Sequence, residues 1–295
     1  MKLRDNLELG VATASAQIEG GIENSNWYEF SKIPGVIKDG SNPLRANKHY
    51  ELYKEDIELM KKMKIEIYRL SVEWSRIEPE DGVFDEKVLE HYRDELKLLN
   101  KNGIKPLVTL HHFSHPMWFE KLGGFTTKKS VFYFTRYTQK VVEAFKGLCN
   151  EYCTINEPNI YASSSFLFGS WYPMKKSAGL CTHVLQNMAR CHIASYKAIK
   201  AIDSNIRVGF AMHLVNFEPE RKHNLLDRFT SKFLFEKFFQ MSICKAMCWG
   251  KFTIPLGFIG IKKGNYADFF GINYYLRNMV HGFGYHTKEG VPTNN

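Results

Sequence analysis

Cys153-Thr154-Ile155-Asn156-Glu157-Pro158 runs from an apolar segment, Tyr152 to Ile155, straight into an amide, a carboxylate and a proline. Proline has no N–H to donate and disfavours helix in the residue before it, which predicts an extended Glu157 where a strand gives way to a loop. In a parallel α/β barrel that junction is the carboxyl end of a strand, where catalytic groups sit. The same residues also suit a turn in which Asn156 caps the next helix and Glu157 is solvated. The rest of the chain has to choose.

Moving outward from this stretch, short apolar runs alternate with longer segments of helical period. Residues 7–13, 66–72, 105–110, 151–155, 207–213 and 268–275 read as strands. Residues 54–64, 86–102, 130–147, 183–203 and 227–249 read as helices, the second closed by Gly103. Strands separated by helices pair in parallel through right-handed crossovers, and their nearly unbroken apolar character fits a sheet covered on both faces. Gln17, Arg69, His111, His112, Asn156, Glu157, His213, Asn273 and Tyr275 all fall at or past the carboxyl ends of different strands. Side chains converging from many strands favour a (β/α)8 TIM barrel over a doubly wound sheet, which binds at one crevice. No Gly-rich phosphate loop follows the first strand.

Six units in 295 residues use about 49 residues each, so eight would need roughly 400, within the range of inserted barrels. The expectation is a single domain over 1–295 that holds about six of eight βα units, is truncated at its C-terminal side and is completed by a missing segment or a complementing chain.

Composition narrows the function. A net charge of +9 is spread over scattered pairs such as Lys61-Lys62 and Lys262-Lys263, with no basic block of the kind that grips nucleic acid. The N-terminus has no apolar signal-peptide core, and 252–261 is too short and too broken by Pro255 and Gly257 to span a membrane. The six cysteines have no paired metal spacing and read as buried thiols of a cytoplasmic protein. His111-His112, with His115 nearby, lacks companion ligands for zinc, so one His is expected to bind substrate and the other to be structural. No metal or cofactor is expected.

The candidate chemistry centres on Glu157 as a general acid/base, which needs a raised pKa. Asn156 can donate to a substrate hydroxyl beside it, and Gln17 offers both a donor and an acceptor. Arg69 suits a carboxylate partner inside the barrel or an ordinary interior ion pair. Asn273 and Tyr275 share a strand face.

Five ordered segments then carry a resemblance: 10–20 (GVATASAQIEG), 68–77 (YRLSVEWSRI), 106–113 (PLVTLHHF), 154–158 (TINEP) and 268–275 (DFFGINYY). The chain resembles glycoside hydrolase family 1, the retaining β-glucosidase and β-galactosidase family. The resemblance implies that Glu157 is the acid/base and that Asn156 contacts the sugar 2-hydroxyl. It implies that Gln17 and His112 bind hydroxyls of the sugar being cleaved. Arg69, Asn273 and Tyr275 match the shell around the nucleophile, and Phe113 stands where many members have Trp. The family nucleophile, a Glu in an Ile/Val-Thr-Glu-Asn-Gly segment, has no counterpart in 1–295. The expected ligand is a β-glycoside or oligosaccharide. The expected function is retaining β-glycoside hydrolysis, with this chain alone inactive. The alternative is a catalytically inactive carbohydrate-binding or interaction protein derived from the same scaffold.

Overall fold

The computed structural model describes residues 7–287. Its centre is a parallel sheet built from β1 (Gly10–Ala12), β2 (Ile67–Ser71), β3 (Lys105–His111), β4 (Glu151–Asn156), β5 (Arg207–His213) and β7 (Phe269–Asn273), paired in that order. These are six of the strands of a (β/α)8 barrel, laid side by side in chain order with helices between them. A second sheet, not anticipated from sequence, joins β6 (Asn216–Pro219), β8 (Arg277–His281) and β9 (Gly284–Thr287). Its strands of four and five residues are too short to show a two-residue period, and β6 and β8 lie about 60 positions apart. The buried Asp227 carboxylate ties it down, accepting from Arg221 Nε and Nη2 at 2.9 Å each and from the Gly282 amide at 2.9 Å.

The main strands sit close to the positions read from sequence. The helix Glu86–Lys101 starts at Asp85, whose carboxylate accepts from the amides of Lys87 and Val88. It ends before Gly103, which takes the left-handed φ of 73° that favours glycine. The long helix begins earlier than expected, at Ala178, because the Ser177 hydroxyl caps it through the Leu180 amide. The segment expected as one helix over 227–249 is three stretches, Leu225–Phe229, a wide π-type stretch Thr230–Gln240, and Met241–Trp249.

The core lies between sheet and helices. Trp74 is fully buried, stacked on Tyr137 at 4.7 Å and tilted against Phe119 at 4.7 Å. Thr154 on β4 bonds His192 of the long helix at 2.7 Å, and Thr138 bonds Ser195 at 3.0 Å, so polar pairs register these helices within an apolar interface. β7 pairs on one side with β5, and its Ile272 is 60% exposed.

Beneath β1 and β2 lies a buried polar network. Glu19 accepts from Tyr92 Oη at 2.7 Å and from Arg76 Nε at 3.1 Å. His49 bridges Asp56 at 2.6 Å and Glu95 at 3.0 Å. Burial pushes Glu19 up to about 8 against the pull of Arg76. Burial opposes charge on His49, but Glu95 and Asp56 outweigh it and lift His49 to about 9. Burial instead drops His192 to about 4, and burial with the Arg69 charge drops His112 to about 3.

These shifts set opposite slopes. Below the ordinary histidine value of 6.5 the unfolded chain binds protons that folded His112 and His192 refuse, so stability falls as pH drops towards 4. Glu19 and His49 hold protons more tightly when folded, so their stabilisation is lost as pH rises through 8 and 9. Thermal unfolding should therefore show maximal stability at about pH 6.5, and Glu19→Gln should flatten the decline on the alkaline side. A parent whose stability keeps rising to pH 9 would contradict these assignments.

Candidate active site

Arg69, in the middle of β2 rather than at its end, reaches the rim of the sheet by its length. Its Nε donates to Thr109 Oγ1 at 3.0 Å on β3, and its Nη2 donates to Asn156 Oδ1 at 2.6 Å on β4, 3.7 Å from Cys153 Sγ. Cys153 and Asn156 are three residues apart, a spacing that puts side chains on opposite faces of a regular strand. Both nevertheless reach one guanidinium. The cause is a register irregularity: Cys153 pairs with Gly209, yet Asn156 pairs with Ala211. A bulge of this kind re-aims a side chain beside a functional site.

Asn273, at the end of β7, completes the cluster. Its Nδ2 donates to Asn156 Oδ1 at 3.1 Å and to Glu157 Oε1 at 2.6 Å. Asn156 Oδ1 is thus shared between Arg69 and Asn273, which leaves its own N–H groups for another acceptor. Glu157 is only 5% exposed.

The expectation of an extended Glu157 is overturned. Its φ and ψ are 45° and 60°, in the left-handed region, and Pro158 takes the first position of the short helix Pro158–Ala162. The Glu157 amide donates to the Ala211 carbonyl at 2.8 Å, and its carbonyl accepts from Ile160 at 3.0 Å and Tyr161 at 3.1 Å. Those bonds, with the grip of Asn273 on the carboxylate, override the local preference set by Pro158. Such a conformation costs about 1–3 kcal/mol and persists where the surroundings over-determine it. Phe113, past the end of β3, is also left-handed, with φ of 68°.

Burial raises the pKa of Glu157, while the Asn273 bond, the Arg69 charge and the Tyr275 hydroxyl pull it back. Arg69 therefore acts on Glu157 by its charge and on Asn156 by direct contact. His213, at the end of β5, has Nδ1 3.9 Å from Glu157 Oε1 and stacks on Tyr275 with ring centroids 5.3 Å apart. Its place at a strand's carboxyl end was the available signal, although the sequence reading gave it no role.

The neighbouring histidines part company. His111 is fully buried and faces His115 at 3.4 Å, which bonds Glu120 at 2.8 Å. His112 opens on a cavity of about 600 Å³ together with Gln17, Phe113 and Trp27. The His112 Nδ1 is buried with no partner among the described residues, and a ring neutral down to about pH 3 can either donate or accept there. Arg69, Asn156, Glu157, Asn273 and Tyr275 thus form one cluster, while Gln17 and His112 share a second wall linked to it through the Arg69 field. Trp171, unremarked in the sequence, packs edge-on against Trp27 at 5.2 Å and Phe113 at 5.0 Å beside this wall. Among the described residues no group of three or more His, Cys, Asp or Glu side chains is arranged to hold a metal. Nor is any helix among them long and apolar enough to cross a membrane.

Comparison with known proteins puts this geometry in context. A family model described as Glycosyl hydrolase family 1 matches residues 1–257. A 1,4-beta-D-glucan glucohydrolase of Thermotoga neapolitana is 31% identical over 290 residues, covering 92% of this chain and 68% of the relative. A 6-phospho-beta-glucosidase of Bacillus subtilis is 28% identical, covering 96% of this chain and 64% of the relative. The solved beta-glucosidase of Thermotoga maritima in complex with castanospermine superposes with a TM-score of 0.88 at 26% identity, over 98% of this chain and 70% of that one. The chain spans about two thirds of the length of these proteins.

The Asn273 bond favours ionised Glu157, so Asn273→Ala should move the Glu157 pKa further upward. Carboxyl-carbon NMR titration, with Glu157→Gln to assign the signal, measures this. A downward shift would mean that Asn273 does not stabilise the carboxylate.

Proposed function

We propose that this chain, which belongs to glycosyl hydrolase family 1, carries the acid/base half of a retaining β-glycosidase site. The observation that supports this reading best is a carboxylic acid with raised pKa, buried at the end of β4 and gripped on one oxygen by Asn273. With Oε1 occupied as an acceptor, Oε2 is the oxygen on which the proton is held for delivery. Glu157 protonates the glycosidic oxygen as the bond to the anomeric carbon breaks, then takes a proton from water in the second step. Retention requires a second carboxyl group about 5–5.5 Å from the first to form the covalent glycosyl-enzyme.

Asn156, its oxygen already held by Arg69 and Asn273, presents its N–H groups to the sugar 2-hydroxyl. Gln17 and neutral His112 bind the remaining hydroxyls from the wall they share. Arg69, Asn273 and Tyr275 form the shell in which an attacking carboxylate stays ionised. The substrate class is a β-linked glycoside or oligosaccharide, bound without nucleic acid, membrane or cofactor.

Residues 1–295 contain no Ile/Val-Thr-Glu-Asn-Gly segment to supply the second carboxylate. That observation favours a second reading, a carbohydrate-binding protein without turnover unless a further segment or chain brings the nucleophile. The two readings agree on the sugar site and differ on chemistry.

Residues 1–295 should therefore bind a glucose-like iminosugar in calorimetry, with Asn156→Ala weakening binding about tenfold. They should hydrolyse 4-nitrophenyl β-glucoside no faster than the Glu157→Gln variant. Hydrolysis well above that variant would require a nucleophile within the chain, and iminosugar binding indifferent to Asn156 would remove the sugar site.

A further inference from the structure

Neither side chain of the sugar wall holds itself in place. Among the described residues Gln17 makes no side-chain hydrogen bond, and His112 Nδ1 is unpartnered. Where they point is set by the backbone that carries them, the short helix Ser15–Ile18 for Gln17 and the turn after β3 for His112. Both lead to one fully buried carboxylate outside the acid/base cluster, Glu73. Glu73 Oε2 accepts from Ser15 Oγ at 2.9 Å, two residues before Gln17. Its Oε1 accepts from Ser114 Oγ at 2.9 Å, two residues after His112, and from Ser75 Oγ at 2.6 Å. The Glu73 amide donates to Tyr92 Oη at 3.0 Å, and that hydroxyl donates to Glu19 Oε1 at 2.7 Å, two residues past Gln17. The helix that carries Gln17 is thus held at both ends from Glu73.

Resting on the sugar-site reading above, we propose that Glu73 is the positioning residue of the sugar wall: one carboxylate, through Ser15 and Ser114, sets the spacing between Gln17 and His112. The backbone ladder does not join the two directly, because β1 and β3 pair with opposite edges of β2. Groups that bind a ligand have to be held to within about 0.5 Å of their productive positions, and side chains without partners of their own depend on the shell behind them. Ser15, Ser75 and Ser114 are at most 4% exposed, so water does not compete for the ties. Two carboxylate oxygens accept from both walls at once, whereas an amide would offer one acceptor and turn a donor towards another hydroxyl. Asn26 holds the turn after β3 separately, bonding the Phe113 carbonyl and the His115 amide at 3.0 Å each. Loss of the Glu73 tie therefore leaves that turn folded and frees only its spacing from Gln17.

Calorimetric titration of residues 1–295 with a glucose-like iminosugar, arranged as double-mutant cycles, tests this. Glu73→Gln should weaken binding about tenfold, and the milder Ser15→Ala and Ser114→Ala, which leave the carboxylate in place, about threefold each. The Ser15→Ala loss should vanish in a Gln17→Ala background and persist in His112→Ala, and the Ser114→Ala loss should do the reverse. Both should persist in Asn156→Ala, whose cluster is held by Arg69 and Asn273 instead. General softening of the fold would weaken binding in every background, so losses that persist in all of them would overturn the assignment. So would Ser15→Ala and Ser114→Ala binding as the parent does while Gln17→Ala and His112→Ala bind weakly. If Gln17→Ala and His112→Ala leave affinity unchanged, the sugar wall is wrong, and NMR of the ligand-free chain then decides the tie. The Gln17 side-chain amide signals, assigned with Gln17→Ala, should move in Ser15→Ala and stay in Ser114→Ala, with the His112 ring signals doing the opposite. Signals that move together, or not at all, would sink it.

Discussion

A single guanidinium inside the sheet organises the rim. Arg69 directs its donors to Thr109 and Asn156, which ties β2, β3 and the end of β4 together through side chains as well as through the backbone ladder. A charge in this setting must be hydrogen-bonded to be tolerated. The bond to Asn156 fixes which end of that amide faces inward, and Asn273 then docks on the same oxygen from β7. Glu157 follows, because the amide that bridges to Asn156 is the one that grips its carboxylate. Four strands thereby converge on one carboxyl group.

That convergence rests on a departure from regular geometry. The register irregularity in β4 lets Cys153 and Asn156 face the same guanidinium, and the left-handed turn at Glu157 sends its carboxyl back over the sheet instead of out along the strand. Strain of this sort needs a stiff frame. The frame here is the parallel ladder, continued by the Glu157 amide on the Ala211 carbonyl, and the apolar layer of Trp74, Tyr137 and Phe119 beneath the helices.

The space around the carboxyl divides by polarity. Gln17 and His112 open one side to a chamber edged with Asn and Arg side chains, while beyond His213 the wall turns aromatic and uncharged. Burial acts in both places, but to different ends. It keeps His112 neutral, so its ring can donate or accept, and it raises Glu157, so a proton is available to give.

The amino-acid sequence by itself determined the order of strands and helices, because apolar runs and helical periods are local properties that packing reinforces. β5 falls on the residues read as a strand, and Gly103 ends its helix as glycine's freedom at positive φ requires. It also marked Arg69, Asn156, Glu157 and Asn273 as polar residues out of place in apolar strands, and the fold joins these four into one network. Tertiary structure alone decided how they meet. No local pattern announces that β4 slips register, that Glu157 turns left-handed despite the proline after it, or that residues 216–219 pair with 277–281. Each is set by partners distant in the chain, an Ala211 carbonyl, an Asn273 amide or an edge strand, whose bonds together outweigh what neighbouring residues prefer.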